Sequence, residues 1–340
     1  MTRVDVIGAG VVGTIYAAQL AEAGHDVHLV ARGRRADELE GGARIHDIVS
    51  GRRSVTPVGV GTSARDTADV VLVAVGAHDL PEAIKLVPTG RAPVVLLGNG
   101  IVDVTAGLPA ARAVVAFTGA GGTMSGGEVQ QFDTDKGKRF PVTIDAHHPA
   151  ADDVRSLFLS AGVPVDLEPD MASWRRTHHA VVVAMAGALE LAGGDPWRLS
   201  TTPDIQRVLG RAVKESYVAV RRTGHHLTPA HLARLGKVPE PMLHLAVRQM
   251  FTSTFGINRF AAHHRHARLE LSHLAGEMEG LLDEAAVLAP SARLLCSRLQ
   301  DPRPSLIVGS NDLRTDPTAP LAAGLVALAG LHWWSRRRQG

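Results

Sequence analysis

The sequence predicts an α/β fold in two parts: a sheet domain with parallel strands, then an all-helical domain. Three observations carry the prediction. A short apolar strand, Val4–Ile7, runs into Gly8-x-Gly10-x-x-Gly13 and then into helical periodicity through Ile15, Ala18, Leu20 and Ala21. Continuous apolar runs follow at Ala68–Val75 and Pro93–Leu97, as expected for parallel strands buried on both faces. Past about Pro169 the apolar residues recur at helical spacing. A chain of 340 residues is too long for one ordinary domain. The expected boundaries are 1–168 for the sheet domain, 169–300 for the helical domain, and 301–340 for a linker and apolar tail.

The glycine segment is the strongest chemical signal. Its helix stops at Gly24, and His25–Val30 reads as a second strand, which completes the β-α-β context that the motif needs. Gly8 permits the tight turn, Gly10 leaves room for a pyrophosphate, and Gly13 lets helix and strand approach closely. The free N–H groups of the helix N-terminus attract phosphate. The first domain is therefore expected to be a Rossmann domain that binds a dinucleotide through Gly8, Ala9, Gly10, Val11, Val12 and Gly13.

The end of the second strand selects the cofactor. Enzymes that use NAD place a carboxylate there to hold the ribose 2′-hydroxyl. Here the residues are Val30-Ala31-Arg32-Gly33-Arg34-Arg35, with no carboxylate before Asp37. Arginines attract a 2′-phosphate, so NADP(H) is preferred over NAD(H), with Arg32 as the leading contact. A solvated basic loop is the bland alternative.

The apolar runs end in Gly76-Ala77-His78-Asp79 and Gly98-Asn99-Gly100. Ligands of doubly wound sheets lie at the carboxyl ends of the strands, so Gly76 and Asn99 are candidate cofactor contacts. Asn99 could equally stabilise a turn. Gly119–Gly127 reads as a flexible loop, Phe140–Ile144 as a late strand, and Asp152–Ser160 as a helix.

Composition narrows the function classes. A net charge of +2 lends no support to nucleic-acid binding. The single cysteine, Cys296, excludes an internal disulfide and a thiolate zinc site, and a reducing cytoplasmic location is the simplest. No basic segment followed by an apolar stretch and cleavage site precedes the first strand, so no signal peptide is expected. The His263-His264-Arg265-His266 run has no matched carboxylate or cysteine, and no metal is expected.

In the second half, Trp174–Ala192 is apolar but interrupted by Arg175, Arg176, His178, His179 and Glu190. Asp204–Thr223 is amphipathic, and Thr228-Pro229 opens a short helix. Glu270 falls on a helix expected from about Ala262 to Leu288. Residues 317–338 combine an apolar stretch, Trp333-Trp334 and Arg336-Arg337-Arg338. That pattern leaves membrane contact through the tail open, with an interfacial tail avoiding the charge conflict that a spanning one meets.

The ordered series of motifs resembles the ketopantoate reductase (2-dehydropantoate 2-reductase) family. The matching pieces are Gly8–Gly13, Gly24–Arg32, Leu72–Val75, Asn99-Gly100, Trp174-Arg175-Arg176, and Leu269-Glu270-Leu271 with Gly276. The resemblance implies a Rossmann domain and a helical domain, NADPH-dependent reduction of a 2-oxo acid on the route to pantothenate, and a tendency to dimerise. It also implies that Asn99 serves cofactor and substrate and that Glu270 lies by the active site.

The departures are as informative. Where the family has a lysine after the third strand, this chain has Gly76. The family's catalytic lysine is Arg176 here. Two substrate-binding asparagines correspond to Ala180 and Ala184, and a family serine near Asn258 has only the offset Ser253 as a counterpart. Arginine keeps its proton at any working pH, so Arg176 can hold a carboxylate or an alkoxide but is a poor general acid. His179 is one turn further on and has a suitable intrinsic pKa. The candidate catalytic set is therefore Arg176, Glu270 and His179, with packing between helices as the bland reading for His178 and His179. Two alternatives stand beside ketopantoate reduction: reduction of another ketone or imine, and NADP(H) binding without turnover.

Overall fold

The computed structural model describes residues 1–301 apart from 133, 136–137, 254–255 and 258–266. The described residues form two compact units, the first made of 1–179 with 267–277 and the second of the other described residues.

The first unit is built on an eight-stranded sheet. In chain order its elements are β1 (Arg3–Ile7), α1 (Val11–Glu22), β2 (Asp26–Val30), α2 (Arg34–Leu39), β3 (Ala43–Asp47), β4 (Arg53–Thr56), β5 (Gly59–Gly61), β6 (Val70–Val73), α3 (Leu80–Ile84), β7 (Val94–Leu96), β8 (Ala113–Phe117), β9 (Gly122–Ser125), β10 (Glu128–Gln131), the two-residue pair β11 (Thr134–Asp135) and β12 (Lys138–Arg139), β13 (Val142–Asp145), α4 (Ala151–Ser160), β14 (Val165–Glu168) and the start of α5 (Met171–Leu191). The large sheet runs β5-β2-β1-β6-β7-β8-β13-β14. Strand order reverses at β1, which pairs with β2 on one side and β6 on the other. That is the switch point where a Rossmann sheet opens a crevice.

Alternation along the strands explains their apolar sequence. Val4, Val6, Leu29, Leu72 and Val95 face a core built with Ile15, Tyr16, Leu20 and Phe158. Ile7, Val30, Val71, Val73 and Leu96 face the opposite one with Ala83. Both faces are covered, so the central strands β1, β6 and β7 gain their stability by burial. The one buried carboxylate on β1, Asp5, is answered by Arg65, whose guanidinium also reaches Asp26 at 2.9 Å.

The sheet is parallel, as expected, with one antiparallel pairing, of β13 with β8. One expectation needs correction. The Gly119–Gly127 segment is not simply a loop, because β9 lies within it and forms a hairpin with β10. Gly126 and Gly127, at φ +55° and +76°, make the two-residue turn, the conformation that matches strand twist and favours glycine. Glycines that looked like flexibility are there for turn geometry. This hairpin joins β3 and β4 in a second sheet, ordered β4-β3-β10-β9.

The described part of the second unit is helical: the continuation of α5, then α6 (Pro196–Thr201), α7 (Pro203–Arg222), α8 (Ala230–Ala233), α9 (Glu240–Phe251), the end of α10 (Arg268–Glu284) and α11 (Pro290–Gln300). Asp195 caps α6 by accepting from Trp197 N at 2.9 Å. On α7, Ile205, Leu209, Ala212, Val213 and Tyr217 are buried, as their spacing requires. Cys296 is buried on α11, and desolvation pushes its thiol up to about 12, which makes it inert. Among the described residues no helix is long and apolar enough to cross a membrane. The tail at 317–338, the expected His-rich run at 263–266 and Asn258 lie outside the described residues.

Candidate active site

The glycine loop leaves the carboxyl end of β1 at the switch point. Gly8 adopts φ +106°, and a Cβ there would lie 2.5 Å from Ala74 O on the neighbouring strand. A Cβ on Gly13 would lie 1.9 Å from Gly8 O, so helix α1 packs on the loop at glycine distance. Nothing lies within 4 Å of the corresponding point at Gly10, where the loop is open. No side chain caps the first turn of α1, so its amides are available to a phosphate. Gly13→Ala is expected to destabilise the protein by roughly 3 kcal/mol, the upper end of overpacking costs, read as a lower urea midpoint.

A cleft of about 890 Å³ opens here, lined by Gly8, Ala9, Gly10, Ala31, Arg32 and Met124 among others. Its dimensions and glycine floor fit a dinucleotide. The three arginines at its rim differ sharply. Arg35 is consumed by the fold: Nε donates to Ala9 O at 2.9 Å, Nη2 to Thr14 Oγ1 at 3.0 Å, and Nη1 to Gly127 O at 3.1 Å. It is a strut joining the glycine loop, α1 and the β9–β10 turn. Arg34 is 91% exposed and lies 3.4 Å from Glu38. Arg32 is exposed at the end of β2, with no hydrogen bond or ion pair among the described residues.

The second cluster forms beyond β6 and β7, again wholly within the first unit. Asn99 Nδ2 donates to Glu270 Oε1 at 2.7 Å, bringing together two residues 171 positions apart. Gly76 leaves space that the His78 ring takes up: a Cβ at 76 would be 2.7 Å from His78 Cε1 and 3.8 Å from Glu270 Cδ.

His179 lies at the same cluster, but not as a free acid. Its ring is 1% exposed. Nε2 donates to Leu274 O at 2.9 Å, and Nδ1 sits 3.4 Å from Asn99 O. Burial lowers its pKa, against the opposing pull of Glu277. A ring enclosed by backbone carbonyls has no open path for delivering a proton, so its position is that of a packing residue. Because its folded pKa lies below the unfolded value of 6.5, its stabilising effect is complete above pH 6.5. As pH falls below that value the unfolded chain gains a proton that the folded one refuses, and stability drops by up to about 1.4 kcal/mol per pH unit until the folded pKa is reached. His244, also lowered by burial, acts in the same direction. Thermal unfolding should therefore move to lower temperature from pH 7.5 to 5.5, with a shallower slope in His179→Gln; an identical slope in that variant would remove His179 from the account.

Arg176 is half-buried, and its Nη1 donates to Ala172 O, one turn back on its own helix, at 3.2 Å. No hydrogen bond or ion pair joins it to Asn99 or Glu270. His178 stacks on Trp174 with ring centroids 5.0 Å apart and planes 6° from parallel. Ala180 and Ala184 are buried at 0% and 3% exposure. Among the described residues no group of three or more histidines, cysteines and carboxylates is placed to hold a metal.

Two residues at this cluster were not singled out from the sequence. Arg175 is 6% exposed, and its guanidinium donates to Gly100 O and Ala116 O. Glu277, with a side chain 7% exposed, accepts from Ile101 N at 2.9 Å and Val102 N at 3.1 Å. The signal was present, since Glu277 falls seven residues after Glu270 and so on the same helix face.

Comparison with known proteins fits this geometry. Residues 4–137 match the family model of ketopantoate reductase PanE/ApbA. A 2-dehydropantoate 2-reductase of Archaeoglobus fulgidus is 36% identical over 100 residues, a stretch that covers 29% of this chain and 33% of that protein. The match thus spans one third of that relative. The fold extends further. A PanE/ApbA family ketopantoate reductase from Ralstonia eutropha superposes with a TM-score of 0.71 at 22% identity, covering 88% of this chain and 97% of that one. D-mandelate dehydrogenase, solved with NADH and anilino(oxo)acetate, has a TM-score of 0.69 at 15% identity and covers 87% and 97%. The dimeric ketopantoate reductase of Staphylococcus aureus has a TM-score of 0.68 at 14% identity, with 88% and 97% covered. These likenesses show the fold, which extends beyond the residues that match the family model.

Proposed function

We propose that the protein is an NADPH-dependent reductase of a 2-oxo acid, acting in the manner of ketopantoate reductase on 2-dehydropantoate. The observation that carries this reading is the Asn99–Glu270 pair at 2.7 Å, set at the carboxyl ends of the strands beside a glycine loop that cannot tolerate a Cβ at Gly8 or Gly13. NADP(H), when bound, would supply the hydride to the carbonyl carbon. Gly8, Ala9, Gly10, Val11, Val12 and Gly13 would hold its pyrophosphate, Arg32 its 2′-phosphate, and Gly76 would leave room near the nicotinamide end.

The remaining chemistry belongs to the side chains. Asn99 presents an amide whose orientation Glu270 sets. Arg176 supplies a fixed positive charge for the substrate carboxylate and cannot act as the acid. Glu270 handles the proton that reaches the carbonyl oxygen, since the enclosed His179 is left with a packing role. A homodimer, as in the Staphylococcus aureus enzyme, is the expected assembly, and sedimentation would check it.

A second reading keeps the reaction and changes the substrate. Ala180 and Ala184 remove two polar side chains where the family has asparagines, and sites built on hydrogen bonds are sensitive to such losses. A bulkier or more apolar 2-oxo acid is then the substrate. Oxidation of NADPH followed at 340 nm with ketopantoate and a panel of apolar 2-oxo acids separates the two. Binding of NADPH without turnover on any member of the panel would sink both.

A further inference from the structure

Arg175 and Glu277 were assigned no role from the sequence, yet they grip the same peptide. The carbonyl of the Gly100–Ile101 peptide accepts from the Arg175 guanidinium, with Nε at 3.0 Å. The N–H of that same peptide donates to Glu277 Oε2 at 2.9 Å, and the next N–H, of Val102, donates to Oε1 at 3.1 Å. A cation holds one end of the peptide plane and an anion the other. Both charges are buried, and such charge-assisted bonds are stronger than neutral ones. Rotation of that peptide would take from each of two buried charges one of its hydrogen-bond partners. Desolvation brings the pKa of Arg175 down only to about 10, so the cation persists at neutral pH.

Three further contacts fit a built device. A Cβ on Gly100 would lie 3.0 Å from Glu277 Oε1 and 3.0 Å from Ala77 Cβ, so the close approach of the carboxylate favours glycine. His273 Nε2 lies 3.7 Å from Glu277 Oε1, and His179 Nδ1 lies 3.9 Å from Oε2. The residue preceding the gripped peptide is Asn99, whose amide meets Glu270. Glu270 and Glu277 thus act from one helix face on one loop, Glu270 at Asn99 and Glu277 at Ile101 and Val102.

We propose that Arg175 and Glu277 are positioning residues that act through the Gly100–Ile101 peptide to set the direction of the Asn99 amide. The role in turnover rests on the reductase reading above, whereas the grip on the peptide does not. A misplacement of about 1 Å at a reacting group can cost on the order of 10²-fold in rate. Glutamine at 277 keeps the shape but loses the charge and sets an NH₂ against a peptide N–H.

The test is a double-mutant cycle on the full chain with NADPH and the best 2-oxo acid. Glu277→Gln should lower kcat about 10- to 100-fold, with Kd for NADPH, measured by fluorescence, within about threefold of wild type. In an Asn99→Ala background the same substitution should change kcat less than about threefold, because coupled residues are not additive. Full additivity, or wild-type kcat in Glu277→Gln, overturns the positioning role. Should Glu277→Gln fail to fold, Gly100→Ala presses on the same carboxylate without removing it and should show the same dependence on Asn99. Amide hydrogen exchange supplies a readout free of turnover. The Ile101 and Val102 amides should exchange at least about tenfold faster in Glu277→Gln. Unchanged exchange overturns the grip itself, even if wild type reduces no 2-oxo acid, so failure of the grip and failure of the reductase reading are told apart.

Discussion

Replacing Glu270 by alanine is expected to lower kcat on the 2-oxo acid by about 10²- to 10³-fold, the range for a lost acid–base group, while NADPH affinity stays within about threefold. The expectation follows from where the carboxylate sits. Glu270 accepts from Asn99 at 2.7 Å, and neither residue lines the cleft at the phosphate-binding loop, so its loss should leave the adenosine half of the cofactor undisturbed. Glu270→Gln separates its two duties. The amide can still accept from Asn99 Nδ2, so a purely orienting glutamate would leave most of the activity in this variant. A proton-handling glutamate loses its function in both variants, and that is the expected result. Full activity in Glu270→Ala would remove the residue from the mechanism and direct attention to His78, whose ring takes up the space beside Gly76.

What the sequence revealed and what it concealed divide along the range of the interactions. The β-α-β start was legible because turn, helix and strand are local and the glycines do geometric work within a dozen residues of one another. The apolar runs at 70–73 and 94–96 announced two-faced burial directly. The hairpin at β9–β10 was hidden because its strand residues are short and its partner β3 lies some eighty residues earlier in the chain. The reversed direction of β13 depends on its neighbour, not on its own composition. At the site, Asn99 was legible from its place at the end of a strand, but its meeting with Glu270 was not, since nothing local says that positions 171 residues apart will meet. Glu277 looked like one more charged helix position, and only burial against two backbone amides gives it a role. His179 shows the converse: a suitable intrinsic pKa was visible in the sequence, and the enclosing carbonyls were not.

The three arginines at the end of β2 make the sharpest division between sequence and structure, and their substitution should give three distinct results. Arg32→Ala is expected to weaken NADPH binding about 10- to 100-fold, the equivalent of losing a charge-assisted contact worth roughly 1.5–3 kcal/mol, with Kd for NADH changed less than about twofold. Arg34→Ala should have a much smaller effect, because its side chain is 91% exposed and already lies beside Glu38, and exposed pairs are worth little. Arg35→Ala should weaken NADPH and NADH alike and lower the unfolding midpoint, because it removes bonds to Ala9 O, Thr14 Oγ1 and Gly127 O that hold the glycine loop itself. The discriminating quantity is the ratio of the two dissociation constants, measured by fluorescence titration in each variant at one ionic strength. Only a 2′-phosphate contact changes that ratio. An Arg32→Ala protein that loses both cofactors equally would place the arginine in the architecture of the loop and withdraw the preference for NADP(H).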